Sequence, residues 1–347
     1  MNPRSDRGFS LMELMVATCV LLVVMGVVMT ALRQSMQQQQ TIWNRTEMHS
    51  GVRGATELMQ QEVGQAGRMA TPVPITLTAP AVASALCDHT SPGFNATTVG
   101  VSSIKGLWAT AGAVPASYAL VTTFDGAARE TVPLWSIGTT PLGAGQISAC
   151  FLNAHAIGTV LVVQGAFGNG IIPPDTPFPA AGMPAGYPGF PGGSTATVLK
   201  MFGDINGDGN MVYVEYTCDL TPGVNKLYRT SVAWDSLTKP KLTDSVVLLN
   251  NIDVNPGGTP CFTYQVTPTI NVQGQPLNFV LDVAITLTVN TAQVDPVTKA
   301  IQKETKALLN VSPRNVFNAW ELAGIGYTDR IQSTPASVRA LLTMTPS

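Results

Sequence analysis

The stretch LMVATCVLLVVMGVVMTAL, residues 14–32, decides how the rest of this 347-residue chain is interpreted. It contains no charged residue and is dominated by Val, Leu and Met. As an α-helix it would be about 28 Å long, close to the thickness of a bilayer's hydrocarbon core. It is longer than the apolar core of a secretory signal peptide, and no small-x-small cleavage site follows it. The pattern therefore predicts a membrane-spanning helix.

The residues that precede this stretch predict its orientation. Arg4 and Arg7 come before the apolar run, so the positive-inside rule leaves the N-terminus in the cytoplasm and exports the remainder. Glu13 lies at the cytoplasmic edge of the run, where an ionised carboxylate is costly unless it has a partner or a function. A simple signal anchor does not explain this residue. The alternative is a solvated glutamate near the positive end of the helix dipole.

The same region resembles the cleavage motif of the type IV prepilins. The motif reads GFSLMEL over residues 8–14, and the resemblance covers about residues 4–32. It implies that residues 1–8 are a leader, which a prepilin peptidase removes by cutting between Gly8 and Phe9. Phe9 would become the N-methylated terminus, and Glu13 the fifth residue of the mature chain. The implied partners are other pilin subunits and the pilus assembly machinery of the bacterial inner membrane.

The chemistry of the new terminus supports an assembly role for Glu13. After cleavage, Phe9 would carry a positive amine and Glu13 a negative carboxylate, both in apolar surroundings. Within one helix the two groups are badly placed to neutralise each other, whereas the amine of one subunit can meet the carboxylate of the next. Because an unpaired buried charge is expensive, this pairing would fix the axial register of neighbouring helices.

The helix is predicted to continue beyond the membrane. In residues 33–67 apolar positions recur at intervals of three and four, which indicates one stripe of an amphipathic helix. The stripe consists of Met48, Val52, Ala55, Met59, Val63 and Ala66. Glycines and prolines between Gly64 and Pro74 end the pattern. We therefore expect one helix over about residues 9–66, with a membrane-embedded assembly half (9–32) and a second half that packs on the exported domain.

From about residue 71 the pattern changes to short strands and turns. The clearest strand is 277–289, in which large apolar residues alternate with small or polar ones. Further strands are predicted near 196–202, 211–217, 226–232, 244–249, 261–267 and 300–311. Strands do not alternate with helices, which disfavours a parallel doubly wound sheet. The expected fold class is α+β, with a long pilin-like N-terminal helix packed on an antiparallel, strand-rich C-terminal domain.

The exported part is divided into a strand- and loop-rich insert (71–195) and an antiparallel β domain (196–347). Residues 165–193 hold seven prolines among glycines and four aromatic residues, and proline disrupts regular strand pairing. Two interpretations of this Pro/Gly-rich segment stay open. It is either a surface loop packed by its own aromatic side chains or a contact surface on the outside or the tip of a filament.

Four of the five cysteines lie in the exported part, where an oxidising compartment favours disulfides. These are Cys87, Cys150, Cys218 and Cys261, while Cys19 lies in the membrane helix. Three pairings are open. We favour Cys87–Cys150 and Cys218–Cys261, because each bond then staples one half of the exported part. No Cys-x-x-Cys sequence supports a zinc or redox motif.

A calcium loop is predicted over residues 204–215. Their sequence, DINGDGNMVYVE, fits D-x-[DN]-x-[DN]-G-x5-E at every constrained position. The candidate ligands are the side chains of Asp204, Asn206, Asp208 and Glu215 and the backbone carbonyl of Asn210, and oxygen ligands of this kind suit Ca²⁺. The loop resembles those of EF-hands and dockerin repeats, although its flanks are predicted to be strands. The alternative is an Asn/Asp/Gly hairpin turn without metal.

The composition excludes several classes of function. The chain has 19 Lys+Arg against 21 Asp+Glu, a net charge of −2, so it lacks the basic face of a nucleic-acid-binding protein. The G-x-S-x-G, P-loop, H-E-x-x-H and dinucleotide-binding fingerprints do not occur in the sequence. We therefore expect a protein that is not an enzyme and has no nucleic-acid partner.

Together with the resemblance, these features predict a bacterial minor pilin, most similar to the PilW type, that primes or caps a type IV pilus used in adhesion or motility. The protein would begin in the inner membrane with its N-terminus cytoplasmic and end in the extracellular pilus. A large exported head favours a minor, tip or priming position over that of a repeating subunit. Two alternatives stay open: a type II secretion pseudopilin of the J kind, and a membrane-anchored, calcium-dependent adhesin outside any fibre.

Overall fold

The computed structural model of the chain describes residues 10–87, 95–110, 117–139, 145–177, 182–272 and 275–346. They form one long N-terminal helix and a strand-rich, mainly antiparallel C-terminal domain, which confirms the predicted α+β class. The chain divides into two compact units. Unit 1 comprises Met1–Ser50 with Asn290–Glu304, and unit 2 comprises Gly51–Val289 with Thr305–Ser347.

The first helix, α1, runs over Leu11–Gln65, in agreement with the predicted span. It begins with a capping box, because the Ser10 hydroxyl accepts the Met12 N–H at 3.3 Å and the Glu13 carboxylate accepts the Ser10 N–H at 3.2 Å. It ends before Gly67, whose φ of 76° lies in the left-handed region that terminates helices.

The N-terminal part of α1 is long and apolar enough to cross a membrane. An 18-residue window reaches a mean hydropathy of 2.6, and none of that window is buried inside the protein. Side chains such as Leu22 and Val23 remain about two-thirds or more exposed, at 70% and 68%. Such a segment occurs in membrane anchors and in signal sequences, where lipid or other helices cover it.

The predicted apolar stripe of α1 is confirmed. Met48 is buried in unit 1, and the other five stripe residues, from Val52 to Ala66, are buried in unit 2. Glu62, which lies between stripe positions, is buried as well. The amphipathic half of α1 therefore contributes one face to the interior of unit 2.

The insert supplies all six strands of the first sheet. Its strands are β1 (Ile75–Thr76), β2 (Thr97–Val101), β3 (Leu120–Phe124), β4 (Thr131–Thr139), β5 (Gly145–Ala149), β6 (Val160–Val163) and β7 (Ala166–Phe167). The first six form an antiparallel sheet in the order β1-β6-β3-β4-β5-β2. Residues such as Val121, Val132 and Ile147 are fully buried on it.

The C-terminal part supplies the remaining elements. The strands are β8 (Val198–Gly203), β9 (Val212–Asp219), β10 (Lys226–Ala233), β11 (Val246–Asn250), β12 (Ile252–Asp253), β13 (Phe262–Val266), β14 (Ile270–Val272), β15 (Gln275–Leu277), β16 (Val280–Asn290), β17 (Lys303–Val311) and β18 (Ile331–Gln332), and the helices are α2 (Arg314–Gly324) and α3 (Ala336–Thr343). One sheet has the order β11-β10-β9-β8, and in another β16 pairs with β12, β13 and β17. β14 pairs with β15, and β18 runs parallel to β7.

All seven strands predicted in the C-terminal part are present, each within a few residues of its expected bounds. The two short helices α2 and α3 were not predicted. Both follow a proline, Pro313 and Pro335, and each buries only two or three side chains, so their periodic signal in the sequence is brief.

The insert and the C-terminal part share one core within unit 2. The Trp108 and Phe167 rings lie 5.3 Å apart between centroids, and Phe167 and Phe202 lie 4.6 Å apart. Tyr213 and Leu341 belong to the same buried cluster. The insert and the C-terminal part therefore form separate main sheets, but their buried side chains belong to one core.

The Pro/Gly-rich segment is packed in part by its own aromatic residues. Phe167 is fully buried, and the buried Tyr187 donates its hydroxyl hydrogen to the Pro174 carbonyl at 2.7 Å. The backbone is also close-packed, because a Cβ at Gly193 would lie 2.2 Å from the Pro173 carbonyl oxygen. Phe178 and Pro179 lie outside the described residues. The segment is therefore packed partly on itself and partly into the core of unit 2, where Phe167 contacts Trp108 and Phe202.

Cys87 and Cys150 form the predicted disulfide, which closes a sequence separation of 63 residues. In the chain-entropy picture a loop of this length stabilises the fold by about 4 kcal/mol. The other predicted partners, Cys218 and Cys261, are both buried and lie next to each other as free thiols, so their pairing stays a prediction. Burial raises the pKa of the Cys218 thiol.

In unit 1, residues 290–304 lie along α1 through polar contacts. The Gln40 amide donates to Gln293 at 2.7 Å, and the Thr41 hydroxyl donates to Asp295 at 3.2 Å. Arg45 and His49 make the next contacts, to Gln302 and Glu304. The contacts of Gln40 and Arg45 are exposed, and exposed polar contacts are individually weak, whereas Asp295 is buried.

Candidate functional site

The start of α1 is the first candidate site. Gly8 and Phe9, the predicted cleavage and methylation residues, lie outside the described residues. Glu13 is exposed, and in the single chain its carboxylate caps the helix through Ser10. This local bond does not neutralise the charge, so Glu13 remains an anionic group at one end of an uncovered apolar helix.

The predicted calcium loop is the turn that joins β8 to β9. Asp204 is only 1% exposed, and its Oδ1 accepts the backbone N–H groups of Asp208 and Gly209 at 3.0 and 3.3 Å. Gly207 and Gly209 have φ values of 73° and 85°, which L-residues with side chains rarely adopt. The spacing of acidic residues and glycines thus produces a tight loop whose backbone N–H groups surround the Asp204 carboxylate.

The other predicted loop ligands are accessible to solvent. Asn206, Asp208 and Asn210 are exposed, and Asp208 Oδ1 accepts the Asn210 N–H at 2.8 Å. Asn206 also lines a polar groove of about 890 Å³ beside α1, so the loop is open to ions from solvent.

Glu215 is not brought to the loop, which corrects its assignment as the closing ligand. It lies within β9 directly opposite Lys200, four residues before Asp204, or about 13 Å along the strand. Its Oε1 accepts hydrogen bonds from the Tyr213 hydroxyl at 2.5 Å and the Lys239 ammonium at 2.6 Å, and lies 3.5 Å from the Lys200 ammonium. In an EF-hand a helix carries this glutamate back to the ion, whereas an extended strand carries it away.

The cluster around Glu215 is buried and holds two lysines for one carboxylate. Glu215 and Lys239 are 6% and 7% exposed. Burial lowers the pKa of Lys200, since desolvation disfavours its ammonium form. Burial, reinforced by the Glu215 charge, raises the pKa of Tyr213, so its phenol stays a donor. The cluster joins β8, β9 and the segment after β10.

Without Glu215 the loop offers the side chains of Asp204, Asn206 and Asp208 and the Asn210 carbonyl. Within the described ranges, no group of three or more His, Cys, Asp or Glu side chains is arranged to hold a metal. One observation does fit a cation. Asp204 Oδ2 is buried and accepts no hydrogen bond from any described residue, and its nearest charge is the Arg68 Nε at 3.5 Å. Four protein oxygens with water correspond to the weaker calcium sites.

Glu62 is a buried carboxylate on α1. Glu62 accepts hydrogen bonds from Arg229 Nη2 at 2.6 Å, from Arg229 Nε at 3.1 Å and from the Tyr216 hydroxyl at 2.5 Å. Burial and the Glu62 charge raise the pKa of Tyr216, which therefore remains protonated and donating. Glu62 is not one of the predicted stripe residues, but it lies three residues after Met59 and four before Ala66, and these intervals were the signal for its burial. Its partners on β9 and β10 could not be inferred without the fold.

The third polar centre surrounds His155, which was not predicted as a site. Its ring is buried, with Nε2 at 2.7 Å from Glu130 and Nδ1 bonded to Asp125. Glu130 also accepts the backbone N–H groups of Leu152 and Asn153 at 2.9 Å. Because the two ring nitrogens face different carboxylates, the arrangement ties the β5–β6 connection to the β3–β4 connection and does not converge on one ligand position.

No protein-family model, curated protein or solved structure matches this chain.

Proposed function

We propose that this protein is a minor subunit of a type IV pilus. It is processed by prepilin peptidase after Gly8 and enters the fibre through α1, with its strand-rich head outside. One observation supports the proposal most directly. The prepilin-like motif of residues 8–14 is followed at once by a helix whose apolar surface is exposed. The implied cofactor is a weakly bound Ca²⁺ at the β8–β9 loop, held by Asp204, Asn206, Asp208 and the Asn210 carbonyl.

The physical case for assembly begins with that uncovered surface. Every residue from Leu11 to Thr30 is exposed, so lipid must cover this part of α1 before assembly. In a bundle of such helices, the amine of mature Phe9 and the carboxylate of Glu13 would face apolar neighbours. Each charge then needs a partner from another subunit, and the Phe9–Glu13 pairing supplies it.

A deletion strain tests the proposed role against the secretion alternative. We expect loss of surface fibres and of twitching motility, restored by the intact gene, while enzyme secretion continues. Loss of secretion with normal fibres would instead identify a type II pseudopilin. A strain that keeps both activities would contradict assembly and favour an anchored adhesin.

A further inference from the structure

The positively charged side chain of Arg68 lies against the β8–β9 loop, beside Asp204. Arg68 is the third residue after α1, and its Nε lies 3.5 Å from Asp204 Oδ2. The guanidinium also covers the turn, because a Cβ at Gly207 would lie 3.3 Å from Arg68 Nη1. The Arg68 side chain is 46% exposed, whereas the Asp204 side chain is 1% exposed. A solvent-accessible cation thus faces a buried carboxylate.

The distance between Arg68 and Asp204 is long for an ion pair that involves a buried carboxylate. A carboxylate buried as deeply as Asp204 normally receives several close, charge-assisted hydrogen bonds. Its Oδ1 does so from the loop backbone, but Oδ2 accepts no hydrogen bond within the described chain. A single contact at 3.5 Å compensates such a charge only in part. The free lone pairs of Oδ2 are therefore available to a better cation.

The backbone around Arg68 is held independently of its side chain. The Gly67 N–H donates to the Phe202 carbonyl, and the Asp204 N–H donates to the Arg68 carbonyl, both at 2.9 Å. Gly203 has no room for a side chain here, since a Cβ would lie 2.9 Å from the Arg68 carbonyl oxygen. The guanidinium can therefore leave the loop without releasing the chain that follows α1.

We propose that Arg68 is a built-in competitor of the divalent cation at this loop. In the metal-free protein its guanidinium neutralises Asp204. When Ca²⁺ binds, the guanidinium moves into solvent while the backbone junction between α1 and β8 stays in place. Arg68 therefore sets the calcium affinity of the loop. This inference rests on the proposed calcium loop and adds the residue that regulates it.

Calcium titration of the purified full-length protein in detergent tests the competition. Calorimetry would compare the native protein with Arg68→Gln, which removes the charge, and Arg68→Lys, which keeps it. Arg53→Gln is the matched control, because it removes an exposed α1 arginine that pairs with Glu57 and not with the loop. Asp204→Asn tests whether binding occurs at this loop, and circular dichroism checks that each variant is folded.

We expect Arg68→Gln to bind Ca²⁺ roughly tenfold more tightly, which corresponds to about 1.4 kcal/mol. Arg68→Lys should lie closer to the native protein, Arg53→Gln should match it, and Asp204→Asn should lose binding. Equal affinities for the native protein and Arg68→Gln would overturn the competition while leaving the calcium loop intact. Binding by neither protein, or binding that survives Asp204→Asn, would overturn both.

Discussion

Replacing Glu13 with Gln is expected to reduce the amount of this subunit in surface fibres roughly a hundredfold. In the proposed fibre the Phe9 amine of one subunit pairs with the Glu13 carboxylate of its neighbour. Removing one partner of a buried ion pair costs about 3–5 kcal/mol, because the other charge is left unpaired. Since each 1.4 kcal/mol is a factor of about ten, incorporation should fall steeply. Immunoblots of sheared surface fractions against membrane fractions measure it.

The capping box at the start of α1 makes this substitution informative. Gln can replace Glu in a capping box, so Glu13→Gln removes the charge but keeps the local bond to Ser10. Ser10→Ala removes the capping hydroxyl but keeps the Glu13 charge, and for this variant we expect nearly normal incorporation. Glu47→Gln, an exposed glutamate further along α1, controls for general loss of charge. Normal incorporation of Glu13→Gln would mean that Glu13 is only a helix cap and that assembly does not depend on the Phe9–Glu13 pair.

The second large effect is expected for Glu62→Gln. This change leaves the Arg229 guanidinium, whose side chain is only 18% exposed, without its counter-ion. We expect a loss of about 3 kcal/mol of unfolding free energy, at the low end for breaking a buried pair. For a domain of this size the midpoint of thermal unfolding should fall by roughly 6–12 °C. Thermal unfolding of the purified full-length protein, followed by circular dichroism, measures the shift.

Glu57→Gln is the matched control on the same helix. Glu57 pairs with Arg53 at 2.7 Å, but the two side chains are 54% and 76% exposed. Such an i,i+4 surface pair contributes only about 0.3–0.5 kcal/mol, so the midpoint should barely move. Equal shifts for Glu62→Gln and Glu57→Gln would show that the Glu62–Arg229 pair does not stabilise unit 2.

The periodic parts of the fold were predictable. The stripe from Met48 to Ala66 and the alternation in 277–289 each reflect one face turned to the interior, and both were confirmed. The Cys87–Cys150 bond, favoured among three open pairings because it staples one half of the exported part, is present. The short helices α2 and α3 were missed, because each has too few buried positions to produce a clear period.

The sites were less predictable, because they depend on long-range partners. The pattern of residues 204–215 correctly predicted the tight loop. The motif, however, describes EF-hands, in which a helix follows the loop. Here β9 follows, so Glu215 faces Lys200 and Lys239. Likewise, nothing in the sequence pairs Glu62 with Arg229 or His155 with Asp125 and Glu130. Those contacts exist only once sheet order and register are set.

The most direct test of the central claim is mass spectrometry of the N-terminus of the protein recovered from its native cells. Processing as a pilin predicts a mature chain that begins at Phe9, carries one added methyl group on its α-amine and lacks residues 1–8. Recovery of a chain that still begins at Met1, with Phe9 unmodified inside it, would contradict assembly through the Phe9–Glu13 pair.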